Sequence, residues 1–373
     1  MMDFIRHLLD VVAIMQLPKS HRRIVFYSEG KEYWVHLEGL LKEFLNFSNV
    51  PACYISSNKN DPGLCYKHPN LKSFQIDEGA FRNWLFKNID TDIMVMTMPD
   101  LDQYQVKRSR NVHYVYIQHS LVSLHMVYRM GAFDKFDTIF CAGPHHTREV
   151  RAIEAKYSLP PKKLVEHGYG RVDSIVETRG RYNQKPVNNP KKILIAPSWG
   201  KNSLIEYIGE KIILNLLENG FHVTLRPHPQ TVKFSKKKLD AIIKQHQKNS
   251  NFVYETDVAS QKSLHQSDLM VSDWSGAALD YAFGLEKPVL FIDVPRKVNN
   301  QEYEAINIEP FEVWIREKIG IIQPLEKIDD LSQSVYDLLL AEAPINYESL
   351  ISKNVYNAGT SSKVGAKYLM QII

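Results

Sequence analysis

"LMVSDWSGAALDYAFGLEKPVLFID", residues 269–293, decides the fold. Leu269–Val271 is a short, unbroken apolar run, as expected of a strand buried on both faces of a parallel sheet. It stops at Ser272 and Asp273. Residues 275–284 then read as a helix, with Ser272, Asp273 or Ser275 able to cap its start and Gly284 to close it. A second apolar strand, "KPVLFID" (287–293), follows. Strand, helix, strand is the unit of a doubly wound α/β sheet. Gly276 lets a ligand approach the backbone closely. A helix start also offers free N–H groups and the positive end of a dipole, a natural place for phosphate. Ser and Asp cap many helices that bind nothing, so this stretch alone leaves capping and binding equally open.

The same rhythm runs along the chain. "RIVFYS" (23–28), "PACYIS" (51–56), "DIMVMTM" (92–98), "VHYVYIQ" (112–118) and "DTIFCAG" (137–143) are strand-like, and "EYWVHLEGLLKEFLNF" (32–47) reads as an amphipathic helix. A polar stretch, "ETRGRYNQKPVNNPKK" (177–192), interrupts the series and reads as an interdomain linker. A second series follows with "KILIAPS" (192–198), a helix over 203–220, "FHVTLRP" (221–227) and a helix over 236–249. The expected architecture is two Rossmann-like domains, 1–180 and 193–373, joined by 181–192 and facing across a cleft. The last helix is free to pack back on the first domain. A chain of 373 residues suits two domains, since single cores seldom grow past roughly 250–300 residues.

Bulk properties narrow the function. The net charge of +4 permits anionic substrates or an anionic membrane surface, but is too small for a dedicated nucleic-acid binder. Three cysteines, Cys53, Cys65 and Cys141, form no CxxC pair, which argues against a disulfide framework or zinc site and fits a reducing cytosol. The opening "MMDFIRHLLDVVAIMQLPKSHRR" carries Arg6, His7 and Asp10 and is too short and charged to span a bilayer, which takes about 20 apolar residues. It reads as an amphipathic helix, either packed on its own domain or resting on a membrane surface.

Candidate chemistry gathers at strand ends, where open parallel sheets bind ligands. In "RPHP" (226–229) two prolines stiffen the loop, so Arg226 and His228 are aimed. Arg226 can grip a phosphate with its two-pronged guanidinium, and His228 can donate to a phosphate or move a proton. "ILIAPSWGKNS" (193–203) supplies Ser198, Gly200, Lys201 and Ser203 beside Trp199, which either stacks on a ring or packs in the core. In the first half, "YIQHS" (116–120) ends a strand at His119. That histidine is either a base for an acceptor hydroxyl or a hydrogen-bonded loop residue. "EHGYGRVDS" (166–174) adds His167, Arg171 and Asp173. In "GPHHTRE" (143–149), His145 and Glu149 share a helix face, but Pro144 at a helix start explains the pattern without metal.

Together, "QHS", "GYGRVD", "ILIAPSW", "RPHP", "SDWSGAALD" and "KPVLF" resemble the CDP-glycerol glycerophosphotransferases, over roughly residues 112–293. Those enzymes build teichoic acids and related capsule polymers at the cytoplasmic face of the membrane. The resemblance implies a GT-B-like fold and transfer of glycerol phosphate, or ribitol phosphate, from a CDP-linked donor to a hydroxyl of a lipid-linked or growing polymer. CMP leaves, and no metal or other cofactor is expected. It also implies roles. His119 is the general base, and His228 with Arg226 holds the donor phosphates. Ser272, Asp273, Ser275 and Gly276 form the donor helix start, with Ser198, Arg171 and Asp173 in the same site. The chain departs from the family pattern at Ser120-Leu121 (usually Gly-Thr), at Gly170 (usually Pro), at Gly200 (often Arg) and over 293–313. A glycosyltransferase using a nucleotide sugar, a nucleotide-sugar epimerase or hydrolase, and a catalytically silent nucleotide-binding scaffold would also suit such a chain.

Overall fold

The computed structural model describes residues 2–104, 106–182, 189–257, 260–341 and 345–373. The first sheet holds β1 (Ile24–Ser28), β2 (Ala52–Ser56), β3 (Leu71–Gln75), β4 (Ile93–Met96), β5 (His113–Ile117), β6 (Thr138–Cys141) and β7 (Lys163–Glu166). Its strands are parallel, in the order β3-β2-β1-β4-β5-β6-β7. The second holds β8 (Lys192–Ile195), β9 (His222–Leu225), β10 (Phe252–Tyr254), β11 (Leu269–Ser272), β12 (Val289–Ile292) and β13 (Gly320–Gln323). It too is parallel, ordered β10-β9-β8-β11-β12-β13. Both are doubly wound Rossmann-like sheets.

The continuous apolar runs follow from burial on two faces. Val25, Tyr27, Cys53, Ile55, Met94 and Met96 enter one core. Their alternates Ile24, Phe26, Ala52, Tyr54, Ile93 and Val95 enter the core on the opposite face. A third core joins the two domains. Leu121, Val122, Tyr169, Val172 and Ile175 pack there with Met270, Leu279 and Phe283.

Local chemistry adjusts several expected boundaries. The helix expected over 203–220 is two, Leu204–Tyr207 and Gly209–Glu218, broken at Ile208, where φ is −151°. Gly284 does not close the helix after β11. That helix spans Gly276–Leu285 and ends at Glu286 in left-handed geometry, φ 56°. Gly284 instead admits Ile175, whose Cγ2 would lie 2.6 Å from an added Cβ. The helix Gly170–Tyr182 runs into the stretch read as linker, and residues 183–188 of that stretch lie outside the described residues.

The last helix, Ser361–Ile372, lies against Trp34–Phe47 of the first domain. The Tyr368 hydroxyl meets that of Thr138 at 2.9 Å. The first helix, Met2–Gln16, also packs on its own domain. Val11 and Ile14 are buried there, and Asp10 accepts the Gln75 N–H at 2.9 Å. Its other face leaves Phe4, Ile5, Leu8, Leu9 and Val12 exposed. Among the described residues no helix is long and apolar enough to cross a membrane.

Candidate active site

The second sheet changes direction between β8 and β11, and ligands of such sheets bind beyond the strand ends at that switch. Asp273, just past β11, knits the place together. One carboxylate oxygen accepts the Ser198 N–H at 2.6 Å. The other accepts the Ser198 hydroxyl at 3.0 Å and the Leu204 N–H at 2.7 Å. Burial pushes its pKa up, partly offset by these bonds. The Ser272 hydroxyl donates to the Ala196 carbonyl at 2.7 Å. The side chains of Ser272, Asp273 and Ser198, expected in the donor site, are buried and bonded to one another's loops. Ser275 does cap the next helix, its hydroxyl accepting the Ala277 N–H at 3.3 Å.

Beside this turn stands the loop after β9. His228 caps the short helix Pro229–Phe234 by accepting the Gln230 N–H at 3.1 Å through Nδ1. An N–H can only donate, so the ring proton sits on Nε2, which is left to donate. Burial, with Lys297 and His119 nearby, lowers the pKa of His228 to about 3, and it is neutral at pH 7. Arg226 is buried, and its guanidinium reaches the Ser263 hydroxyl at 3.2 Å. Burial and Arg171 lower its pKa to about 10, which keeps it charged at neutral pH.

Arg171 enters from the first domain. Its Nε lies 3.9 Å from the Asp280 carboxylate, one turn along the helix that begins at Gly276. Burial raises Asp280 to about 6, against the pull of Arg171, Tyr169 and Arg226. Arg171 Nη1 and Asp280 Oδ1 are buried with no hydrogen-bond partner among the described residues. Asp173 does not join this cluster. Its oxygens accept the Gly359 N–H at 2.7 Å and the Ser361 N–H and hydroxyl at 3.0 and 2.5 Å, tethering the last helix.

His119, beyond β5, faces this assembly from the first domain. Its Nδ1 lies 3.1 Å from the Thr97 carbonyl and 3.1 Å from the Tyr116 hydroxyl. A carbonyl can only accept, so Nδ1 carries the proton and Nε2 keeps its lone pair. The Tyr128 hydroxyl donates to Nε2 at 3.3 Å. Burial lowers the pKa of His119 to about 4, the Thr97 bond opposing and Lys297 assisting. The imidazole is therefore neutral at pH 7, with Nε2 unprotonated.

Lys297 acts on both histidines, and sequence reasoning missed it because it lies in the segment that departs from the family pattern. Its ammonium sits 4.6 Å from the Trp199 ring centre. Burial lowers its pKa to about 8, opposed by Asp273 and Glu312. Asp280 was missed too, although Gly276 and Asp280 share a helix face by spacing. Next to His228, Trp199, Tyr207 and Phe234 line an open recess of about 640 Å³ with Lys201 at its edge. Trp199 and His228 are 6.0 Å apart, ring to ring.

Comparison with solved structures bears on the fold. The solved wall teichoic acid polymerase TagF superposes with a TM-score of 0.60 at 13% identity, covering 100% of this chain and 97% of that one. The UDP-GlcNAc 2-epimerase of Methanocaldococcus jannaschii, solved with UDP-GlcNAc and UDP, gives 0.56 at 12%, covering 94% and 99%. Anabaena HepE, solved with UDP and glucose, gives 0.55 at 11%, covering 94% and 100%. At such identities these likenesses establish the GT-B type of fold alone. The comparison with curated proteins returns no match. The family model for CDP-glycerol:poly(glycerophosphate) glycerophosphotransferase matches residues 11–340, most of the chain, and the protein belongs to that family of transferases.

Proposed function

We propose that the protein transfers glycerol phosphate, or a related polyol phosphate, from a CDP-linked donor to a hydroxyl of a growing, lipid-linked polymer. The observation that carries this reading is the complementary protonation of His119 and His228. On Nε2 one carries a lone pair, which accepts from the Tyr128 hydroxyl until an acceptor hydroxyl takes that place, and the other an N–H, and they lie close enough for the charge of one to depress the other. The acceptor hydroxyl loses its proton to His119 Nε2 and its oxygen attacks the donor's β-phosphorus. The bond from that phosphorus to the bridging oxygen breaks, and CMP leaves with the electron pair. His228 Nε2–H, Arg226, Lys297 and the N–H group at Gly276 meet the phosphate charge. Catalysis is then chiefly positioning and charge neutralisation. These cations and N–H groups take the place of a divalent ion.

The unpartnered atoms of Arg171 and Asp280 suit the polar edge of a nucleoside. The recess at Trp199, Tyr207 and Phe234 suits the acceptor, because aromatic faces accept polyol C–H groups and Lys201 offers a charge to phosphodiesters. The exposed apolar face of the first helix suits a membrane surface that presents a lipid-linked acceptor.

The test is CMP release by the purified protein from CDP-glycerol, with and without a glycerol-phosphate oligomer as acceptor, in the presence of EDTA. Release that rises with acceptor and survives EDTA is expected. Silence toward CDP-glycerol and CDP-ribitol, with turnover of a nucleotide sugar, would overturn the reading.

A further inference from the structure

The segment Leu121–Leu124 directly follows His119 and Ser120, and side chains hold its polar backbone groups one after another. His145 Nε2 donates to the Leu121 carbonyl at 2.9 Å, and His146 Nε2 to the Val122 carbonyl at 2.9 Å. Glu312 accepts both the Ser123 N–H, at 2.7 Å, and the Ser123 hydroxyl, at 2.8 Å. Glu149 accepts the Leu124 N–H at 2.5 Å and lies 3.3 Å from His125 Nδ1. His125 Nε2 in turn reaches the Ile308 carbonyl at 3.0 Å.

These side chains come from two places. His145, His146 and Glu149 stand on the helix Pro144–Tyr157, in the "GPHHTRE" stretch. Glu312 stands in the first turn of Phe311–Ile319, in the second domain. The two helices touch, since the His145 and Phe311 rings stack at 4.0 Å and 12°. Side-chain exposure of Glu149 and His125 is zero, and Glu312 is buried as well.

We infer that this is a clamp with one jaw in each domain, and that Glu312 and Glu149 are positioning residues for His119. Stability alone does not call for them. Taking carboxylates out of water is costly, and well-packed apolar residues of similar volume often stabilise a core better. What buried carboxylates supply is a fixed address for a backbone. Because Glu312 belongs to the second domain, the loop behind His119 is held in full only when the donor-side domain is in place. The base is thus set against the donor as the domains meet. The inference rests on the transfer reading above for its meaning, but not for its geometry.

The test is Glu312→Asp, which shortens the reach by one methylene and keeps the charge. A misplacement of roughly 1 Å can cost about 100-fold in rate. The expected result is a fall in kcat of about 10- to 100-fold, with the calorimetric Kd for CDP-glycerol within about twofold. Exchange of the Ser123 and Leu124 amides should rise about tenfold, with the rest of the first domain unchanged. Glu312→Gln, which keeps an acceptor oxygen, should recover part of kcat. Retained turnover in Glu312→Asp, or a loss of kcat matched by lost donor affinity and faster exchange throughout the domain, would overturn the inference. Should Glu312→Asp not fold, Ser123→Ala removes the hydroxyl bond alone and should cost about 3- to 10-fold in kcat, within the range of one hydrogen bond. If the wild-type protein releases no CMP, the transfer reading fails, and the exchange measurement still decides the clamp.

Discussion

Gly276, the first residue of the helix after β11, lies against Ser120, the residue after His119. A Cβ built on Gly276 would overlap the Ser120 hydroxyl, while the Ser120 Cβ, at 3.4 Å, would be in ordinary contact. The donor-side helix and the base-bearing loop therefore meet with no spare room, each from its own domain.

Gly276→Ala should push the two apart and lower kcat/KM about tenfold, equivalent to roughly 1.4 kcal/mol. The overlap is with the hydroxyl alone, so adding Ser120→Ala should restore most of the loss. A double-mutant cycle measures this directly. Additive losses would show that the hydroxyl is not the obstacle.

The protonation states fix a pH profile. His119 works as a neutral base, so kcat/KM should fall as pH drops through its pKa of about 4. Lys297 neutralises charge as a cation, so kcat/KM should fall as pH rises through about 8. Lys297→Arg should carry the plateau to higher pH, because a guanidinium stays protonated there. His119→Ala should lose about 100- to 10,000-fold in kcat, the usual worth of a general base, and leave the Kd for CDP-glycerol nearly intact. Turnover within a few-fold of wild type would remove His119 from the base role.

The sequence carried the fold well where strands are buried on both faces. Unbroken runs such as "IVFYS" and "ACYIS" leave no alternative to a strand between two cores. β3 (LKSFQ), β7 (KLVE) and β13 (GIIQ) were not legible as strands. They are sheet edges, where polar residues interrupt or flank the apolar ones and the run is short. At the site, the place of Arg226 and His228 just past a strand was legible in "FHVTLRP". That Arg171 meets Asp280 did not, because it depends on how the domains face each other. Nor did local sequence reveal that Asp273 serves Ser198 and Leu204, since a helix cap and a loop anchor look alike as "SD". In "GPHHTRE" the sequence explained the His145–Glu149 pattern by Pro144 at a helix start, but gave no sign that His145 and His146 serve backbone 24 residues away in the chain.

Asp273→Asn tests that anchoring role. An amide nitrogen must then face an N–H or hydroxyl donor, leaving a buried group unsatisfied at a cost of about 1–3 kcal/mol. Chemical denaturation should show this loss without donor present. A variant as stable as wild type, but unable to bind CDP-glycerol, would return Asp273 to direct donor contact.

The first helix offers a test of membrane contact. Phe4 and Leu9 are 62% and 61% exposed. Co-sedimentation with anionic phospholipid vesicles should fall in Phe4→Ser/Leu9→Ser while the melting temperature holds, because neither side chain belongs to the core. Equal sedimentation of the two proteins would remove this helix as the contact.

Whether a phosphoryl group moves is decided by one label. CDP-glycerol carrying ³²P in the β position should deliver that phosphorus to the acceptor oligomer and release unlabelled CMP in equal amount. Label left on the nucleotide as CDP would mean that the bond beyond the β-phosphate breaks. The site would then transfer the group without its phosphate, and phosphoryl transfer would be ruled out.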